Sequence, residues 1–477
     1  MEFRVCAKEA GSYDVLVIGG GPAGMGAAAA AAKRGAKTLL IEGLGCVGGT
    51  GTSGGLPFWL GATTGSIPYY KMLEKGLAYS ELPHPRKAVG GIFEEAMGRL
   101  RDAGLGVGPA IMGQTKECPG LDRLGCHDEF TYDLEGGKRI LEQMILEAGA
   151  GILYFTHVVG VKVQDGILEG VFVSNKEGIS FIRAKRFVDA TGDGDVAAYA
   201  GFETYKGDRK TGEMTSASLV VHIEGVDSKA FEAYLNQGGD PWLRHACRQA
   251  QKAHPEMDFN DNIILFPMVR EGVFMINGGT AFHFIDGTCA GDLSGLMHRG
   301  RMRAYNLLEY LFKPYVPGFE NAAIRLTASY PGIRETRRIV GEYILTEEDA
   351  LEGREFEDTI ALAGRHFDLG RVKRRKDGSL EYVQPTHKKE LKPGGGVMRI
   401  PYRSLIPKGS YNLIAAGRCI AADGQTMGPA RIMSTCMATG QAAGTAAAMT
   451  LIENCGFAQL DAGLLREQLR NDAAIVD

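Results

Sequence analysis

The residues best suited to chemistry come early in the chain, where Gly19-Gly20-Gly21-Pro22-Ala23-Gly24 holds the spacing G-x-G-x-x-G and an acidic residue, Glu42, follows. In such a loop the first glycine permits a tight turn, the second lets backbone reach a pyrophosphate, and the third lets a helix lie close on a strand. The helix start adds unpaired N–H groups and a positive dipole end, both suited to an anion. Glu42 is placed to accept from ribose hydroxyls, and its charge would repel the 2′-phosphate of NADP. The motif alone does not separate FAD from NAD. A glycine-rich loop without a ligand is the bland alternative, and the strand, helix and acidic residue around the motif count against it.

A second glycine cluster, Gly43-Leu44-Gly45-Cys46-Val47-Gly48-Gly49-Thr50-Gly51-Thr52, follows at once and suits backbone running along an extended cofactor. Cysteine chemistry finds less support. The nine cysteines are scattered without a CxxC pair, and Gly51 stands where a redox partner of Cys46 is needed, so Cys46 reads as a packing residue. Cys118, Cys126 and His127 match no compact ligand spacing, and no metal is expected. The basic stretch Arg371 to Lys376 reads as a solvated hairpin beside the Asp377-Gly378 turn.

These groups need elements to hold them. Tyr13 to Ile18 is an apolar run of the kind a buried parallel strand shows, the alanine-rich stretch Gly24 to Arg34 is a helix, and Lys37 to Glu42 is a second strand. Together they form a βαβ unit that opens a Rossmann-type fold. Helices are expected at Tyr69 to Tyr79, Ile92 to Ala103 and Gly137 to Ala148, and a strand at Ile152 to Thr156. Val158 to Val163, Leu168 to Ser174 and Gly178 to Arg183 then read as a meander with turns at Asp165-Gly166 and Glu177-Gly178. A separate strand, Arg186 to Asp189, leads into Ala190-Thr191-Gly192-Asp193.

Between 206 and 395 the chain carries most of its histidines and longer loops, as a substrate or cap domain does. It then returns to the first style with the strand Asn412 to Ala416 and the small-residue helix Ser434 to Leu451. The expected class is α/β: a discontinuous cofactor domain (1–205 and 396–477), with a central parallel sheet plus β-meander, interrupted by an inserted α+β cap (206–395) of which 332–341 returns to the flavin. Lys and Arg number 53 against 57 Asp and Glu, a net charge of -4, so no basic field exists to hold nucleic acid. No apolar run reaches the length of a membrane span and the start shows no secretory pattern, so a reducing, cytoplasmic setting is expected. Glycine, at 67 residues, stands at about twice its ordinary share, which fits repeated close approach of backbone.

Four blocks carry a resemblance. They are Asp14 to Thr52, Asp189 to Asp195, Gly332 to Gly341, and Ile400 through Ala416-Gly417-Arg418 to Gly444. With them the chain resembles the FAD-dependent oxidoreductase family of the glutathione-reductase-like flavoproteins, and more distantly the fumarate reductase and succinate dehydrogenase flavoprotein subunits. The resemblance implies that FAD is the cofactor, with Gly19, Gly21, Pro22, Ala23, Gly24, Glu42 and Gly43 at its ADP half and Gly49, Thr50 and Thr52 along the path to the isoalloxazine. It further implies that Val159 meets adenine through its backbone, that Ala190, Thr191 and Gly192 pass the dinucleotide, and that Gly417 and Arg418 approach the pyrophosphate or ribityl chain. Ala430, Arg431 and Ile432 would set a helix N-terminus at the flavin N1 and O2 edge, where positive potential favours negative charge.

The reaction this implies is hydride transfer between flavin N5 and carbon of a small polar, anionic organic molecule, by a dehydrogenase or double-bond reductase. A proton-handling group and an anion clamp must come from the cap side, and His283, Arg334, Arg337 and Arg270 are the expected catalytic residues, with His222 and His298 as further candidates. A helix beginning near Ile333 would put Arg334, Arg337 and Arg338 on one face. Alternatives are an electron-transfer subunit without its own substrate, against which the lack of clustered cysteines counts, and a tRNA-modifying flavoenzyme, which needs a basic face. The electron donor or acceptor and homo-oligomerisation stay open.

Overall fold

Val15, Leu16 and Val17 are wholly shielded from solvent, as a strand covered on both faces must be. The computed structural model describes residues 6–64, 86–108, 130–209, 212–257, 259–277, 279–365, 367, 369, 371–374, 380–383 and 396–477. In it these residues belong to β1 (Lys8–Ile18), followed by α1 (Pro22–Lys33) and β2 (Thr38–Ile41). The other strands of this sheet are β3 (Gly151–Leu153), β4 (His157–Gln164), β5 (Ile167–Asn175), β6 (Gly178–Asp189) and β7 (Leu413–Ala415). Their order is β3-β2-β1-β6-β5-β4, with β7 joining β6. Pairings among β3, β2, β1, β6 and β7 are parallel, and β4, β5 and β6 form an antiparallel meander. The mixed α/β architecture of a Rossmann-like cofactor domain is thereby present.

The two strands expected at Gly178 to Arg183 and Arg186 to Asp189 are one strand of 12 residues. Its first half pairs with β5 and its second half with β7, while β1 runs along both. Asp165 and Gly166, at φ 51° and 78°, make the tight β4-β5 turn that requires two left-handed residues.

Small residues bring α1 against a second helix, α2 (Met433–Ile452). A Cβ added at Gly440 would run into the Ala23 carbonyl, one at Gly444 into the Ala27 carbonyl, and one at Gly26 into the Met437 carbonyl. The pair therefore packs backbone to backbone, and both helices are buried on nearly every side.

The cap is built on a four-stranded antiparallel sheet in the order Ile264–Pro267, Phe274–Asn277, Val221–Glu224, Ala323–Thr327. Phe231, Phe274, Phe312 and Phe319 centre a hydrophobic core of its own. Part of the expected cap range of 206–395 packs with the cofactor domain. Leu345, Ile360, Leu362 and Leu369 belong to the same core as β1, α1 and α2, because the chain leaves the cap after its last sheet strand and packs beneath the cofactor domain. The expected helix Tyr69 to Tyr79 and the Asp377-Gly378 turn lie outside the described residues; the strands flanking that turn, Arg371–Arg374 and Leu380–Val383, pair antiparallel. No described helix is long and apolar enough to cross a membrane.

Candidate functional site

The loop between β1 and α1 shows three glycines with three different duties. Gly19 has φ 98°, and a Cβ there would meet the Ala190 carbonyl, so the β6 loop lies directly on it. At Gly24 a Cβ would strike the Gly19 carbonyl, which leaves no room for any side chain at the helix start. Gly21 is different: its backbone is ordinary extended chain, φ -68° and ψ -178°, and a Cβ would find no protein atom within 4 Å. It borders a cavity of about 670 Å³. Helix α1 opens onto this space with Pro22 in its first turn, no side-chain cap and no acidic residue, so its first free N–H groups and positive dipole end face the cavity.

Glu42, just past β2, lines the same cavity together with Gly43. Its carboxylate accepts from the Gly20 N–H at 2.6 Å and the Leu44 N–H at 2.8 Å, tying the two glycine clusters together. Gly49 and Thr50 also border the space. Thr52 does not: it is buried, and its hydroxyl donates to the Val47 carbonyl at 2.6 Å, fixing the loop from behind. Cys46 is similarly engaged, with its Sγ 3.1 Å from Ser53 Oγ.

Beyond β3 the lining passes through Thr156, His157 and Val158, stopping one residue short of Val159, whose side chain is turned to solvent. Ala190, Thr191 and Gly192 all line the cavity, held by buried Asp189, which accepts from the Thr191 hydroxyl at 2.7 Å and the Ala197 N–H at 3.0 Å. Gly417, at φ 78°, turns the chain so that Ala416 and Arg418 face inward. Arg418 donates from Nη2 to Asp193 at 3.0 Å, while its Nη1 is buried without a hydrogen-bond partner among the described residues. A buried guanidinium nitrogen beside a cavity calls for an anionic or polar ligand. Ala430 is packed away from the space, whereas Arg431, Ile432 and Met433 border it. Helix α2 starts at Met433 with no side-chain cap and no acidic residue in its first turn, so a second positive helix end is directed at the cavity.

The cap supplies the other end. Of the expected catalytic residues, Arg334 alone lines the cavity; its Nη1 donates to the Ser216 carbonyl at 2.6 Å and the Ser216 hydroxyl at 3.2 Å. The expected helix at Ile333 is absent. Arg337–Ile339 is a short strand paired with Thr204–Lys206, so the three arginines point to different places. Arg337 is ion-paired with Asp195 and donates to the Asp193 carbonyl at 3.0 Å. Arg338 is fully buried, donating to the carbonyls of Ala422 and Gly207 and stacking over Tyr205. Arg270 is a surface residue paired with Asp133 at 2.9 Å, beside a separate hollow of about 70 Å³. His283 and His298 are exposed and off the cavity lining. His222 is buried, its Nε2 2.7 Å from the Gly55 carbonyl, and burial lowers its pKa to about 4, so it is a neutral tie between cap and cofactor loop.

Other residues of the site had weaker signals in the sequence. Arg365 and Tyr330 border the cavity, as do Trp242 and the stacked rings of Phe58 and Phe266, whose centroids are 4.7 Å apart. Burial, and then the Asp193 charge, push the Tyr330 phenol up to about 12, which keeps it protonated at neutral pH. Burial, then Asp193 and Asp189, push Asp195 up to about 6 despite Arg337. Among the described residues no group of three or more potential ligands could hold a metal; Cys118, Cys126 and His127 lie outside them.

Comparison with known proteins gives a concordant picture. The model of a family described as FAD dependent oxidoreductase matches residues 14–469. A digeranylgeranylglycerophospholipid reductase of Thermoplasma volcanium is 26% identical over 197 residues, which are 40% of this chain and 43% of that protein. A leghemoglobin reductase of Glycine max is 29% identical over 199 residues, 40% of this chain and 33% of that protein. The chain thus matches less than half the length of either relative. A solved structure described as geranylgeranyl bacteriochlorophyll reductase-like, from Thermoplasma acidophilum, aligns with 97% of this chain and 84% of its own at 14% identity and a TM-score of 0.42.

Proposed function

The chain belongs to the FAD-dependent oxidoreductase family, and from that premise we propose that it moves a hydride between flavin N5 and a carbon of an organic anion held by Arg334. Bound FAD supplies the two-electron chemistry. The residues present fit it: open space beside Gly21, two uncapped helix starts, Glu42 for ribose, and the unpartnered Nη1 of Arg418 for phosphate or ribityl oxygen. The observation that carries the substrate reading is the place of Arg334, a cap residue on the lining of the same cavity as the cofactor cradle.

In this reading each part of the chain has one task. The Gly19 loop and Glu42 anchor the ADP half, Arg418 with Asp193 holds the middle, and the start of α2 sets the potential at the flavin edge. Arg334, steadied by Ser216, orients the substrate anion, and Phe58 and Phe266 keep water from the cap end. Tyr330, protonated at neutral pH, is a donor available for a developing negative charge.

The test is anaerobic reduction of the yellow holoprotein by a panel of organic acids and their uncharged analogues. Bleaching by acids alone, weakened at least about tenfold in Arg334→Lys, is expected. Bleaching by uncharged compounds at equal rate, or by none of the panel, would refute the reading.

A further inference from the structure

The cap end of the cavity is walled by Leu60, Val220, Trp242, Ile264, Phe58 and Phe266. They come from four stretches of chain, around Phe58, Val220, Trp242 and Ile264. All but Trp242 are members of, or pack against, one apolar cluster that also includes Ile333, the neighbour of Arg334. The wall is thus continuous with the only cap cation on the lining among the described residues. From this juxtaposition we infer that the substrate is a monocarboxylate with an aromatic or alicyclic ring, the ring against this wall and the carboxylate at Arg334. The inference deepens the proposed function and rests on it.

The chemistry of the wall selects the body of the ligand. Apart from the Trp242 indole N–H the wall is aliphatic and phenyl, so a polyol, a hydroxy acid or the second carboxylate of a diacid would lose most of its water there without replacement. A ring instead buries flat apolar faces, and Leu60, Trp242 and Ile264, the half-buried members of the wall, leave apolar surface open to one. Arg334 selects the head. Its neighbour Ile333 belongs to the apolar cluster of the wall, and the planar fork of the Arg334 guanidinium, held in place through Ser216, suits one carboxylate.

The experiment is an anaerobic titration of the FAD-loaded protein with benzoate, cyclohexanecarboxylate, acetate, succinate, glycolate and benzamide, read as perturbation of the flavin absorbance and therefore independent of turnover. Burying a methylene tightens binding roughly fourfold, so the two ring acids should bind at least tenfold more tightly than acetate, succinate or glycolate. Trp242→Ser should reduce that preference to within about threefold, and Ile264→Ser, a milder change at a half-buried strand position, should reduce it in the same direction. Tighter binding of succinate or glycolate than of benzoate overturns the ring inference but leaves the oxidoreductase acting on an anion. Benzamide binding as tightly as benzoate overturns the carboxylate assignment and the role of Arg334 together. A ring preference unchanged in both variants removes it from this wall, and an absence of perturbation by all six compounds overturns both readings.

Discussion

Gly21→Val separates the ligand's space from the protein's own packing. At Gly21 the backbone conformation is open to any residue and an added Cβ meets no protein atom within 4 Å, so the apoprotein should keep its stability. Loss of glycine's freedom in the unfolded chain even favours the variant by about 0.4–1 kcal/mol. The side chain instead enters the cavity between the start of α1 and the glycine turn Gly49–Gly51. Forcing such bulk into a filled site costs about 1–3 kcal/mol, or roughly fivefold to more than hundredfold in FAD affinity, before any lost contact to the first free N–H groups of α1 is counted. Gly24→Val is the control with the opposite signature: its Cβ would occupy the Gly19 carbonyl, so the apoprotein itself should melt earlier. The assay is fluorescence titration of apoprotein with FAD, paired with calorimetry of the FAD-free forms. Full FAD affinity in Gly21→Val, or a loss of apoprotein stability as large as that of Gly24→Val, would refute the assignment of the cradle.

Glu42→Ala should weaken FAD binding by about 1.5–3 kcal/mol and also lower apoprotein stability, because the carboxylate accepts two backbone N–H groups; equilibrium dialysis and melting curves read the two effects, and a fall in flavin reduction rate at saturating FAD with unchanged affinity would move Glu42 to the reaction centre. Arg334→Lys should slow substrate-driven bleaching at least about tenfold with melting temperature and flavin content intact, whereas Arg337→Lys should lower stability and flavin retention but leave the bleaching rate of bound flavin near normal, since Arg337 serves Asp195 and the Asp193 carbonyl. The reverse pattern in stopped-flow traces would restore Arg337 as the clamp. His222 has a folded pKa of about 4 against 6.5 unfolded, so its contribution is fully present above pH 6.5 and lost as pH falls toward 4. Its loss is on the order of 3 kcal/mol, and His222→Gln should flatten that part of the denaturant-derived stability curve; an unchanged slope would show that His222 is not the titrating group.

The cofactor half of the site is legible in sequence because its signals are local. Gly19 to Glu42 packs turn, helix start and acidic residue into one βαβ unit, so spacing alone fixes what each residue faces. The cap half is assembled from distant segments, and neither Trp242 nor the Phe58–Phe266 stack carries a motif. The arginines of 334–338 misled for a physical reason: their three- and four-residue spacing fits a helix face, yet Arg338 is satisfied by carbonyls and the Tyr205 ring, and such burial is invisible in spacing. Residues 345–369 fall within the expected cap range, yet Leu345, Ile360, Leu362 and Leu369 pack in the core of the cofactor domain, a placement set by tertiary contact.

The tight seam between α1 and α2 sets an order of assembly. The nucleotide loop and its alanine helix leave the ribosome long before Gly440 and Gly444 exist, and until then the face of α1 made of Ala23 and Ala27 has nothing to cover it. The roof, Arg418 through Met433, arrives with the same late segment that seals the seam. Flavin capture and closure of the domain thus become a single late event. Limiting riboflavin should consequently shorten the life of newly made chains more than that of molecules already closed.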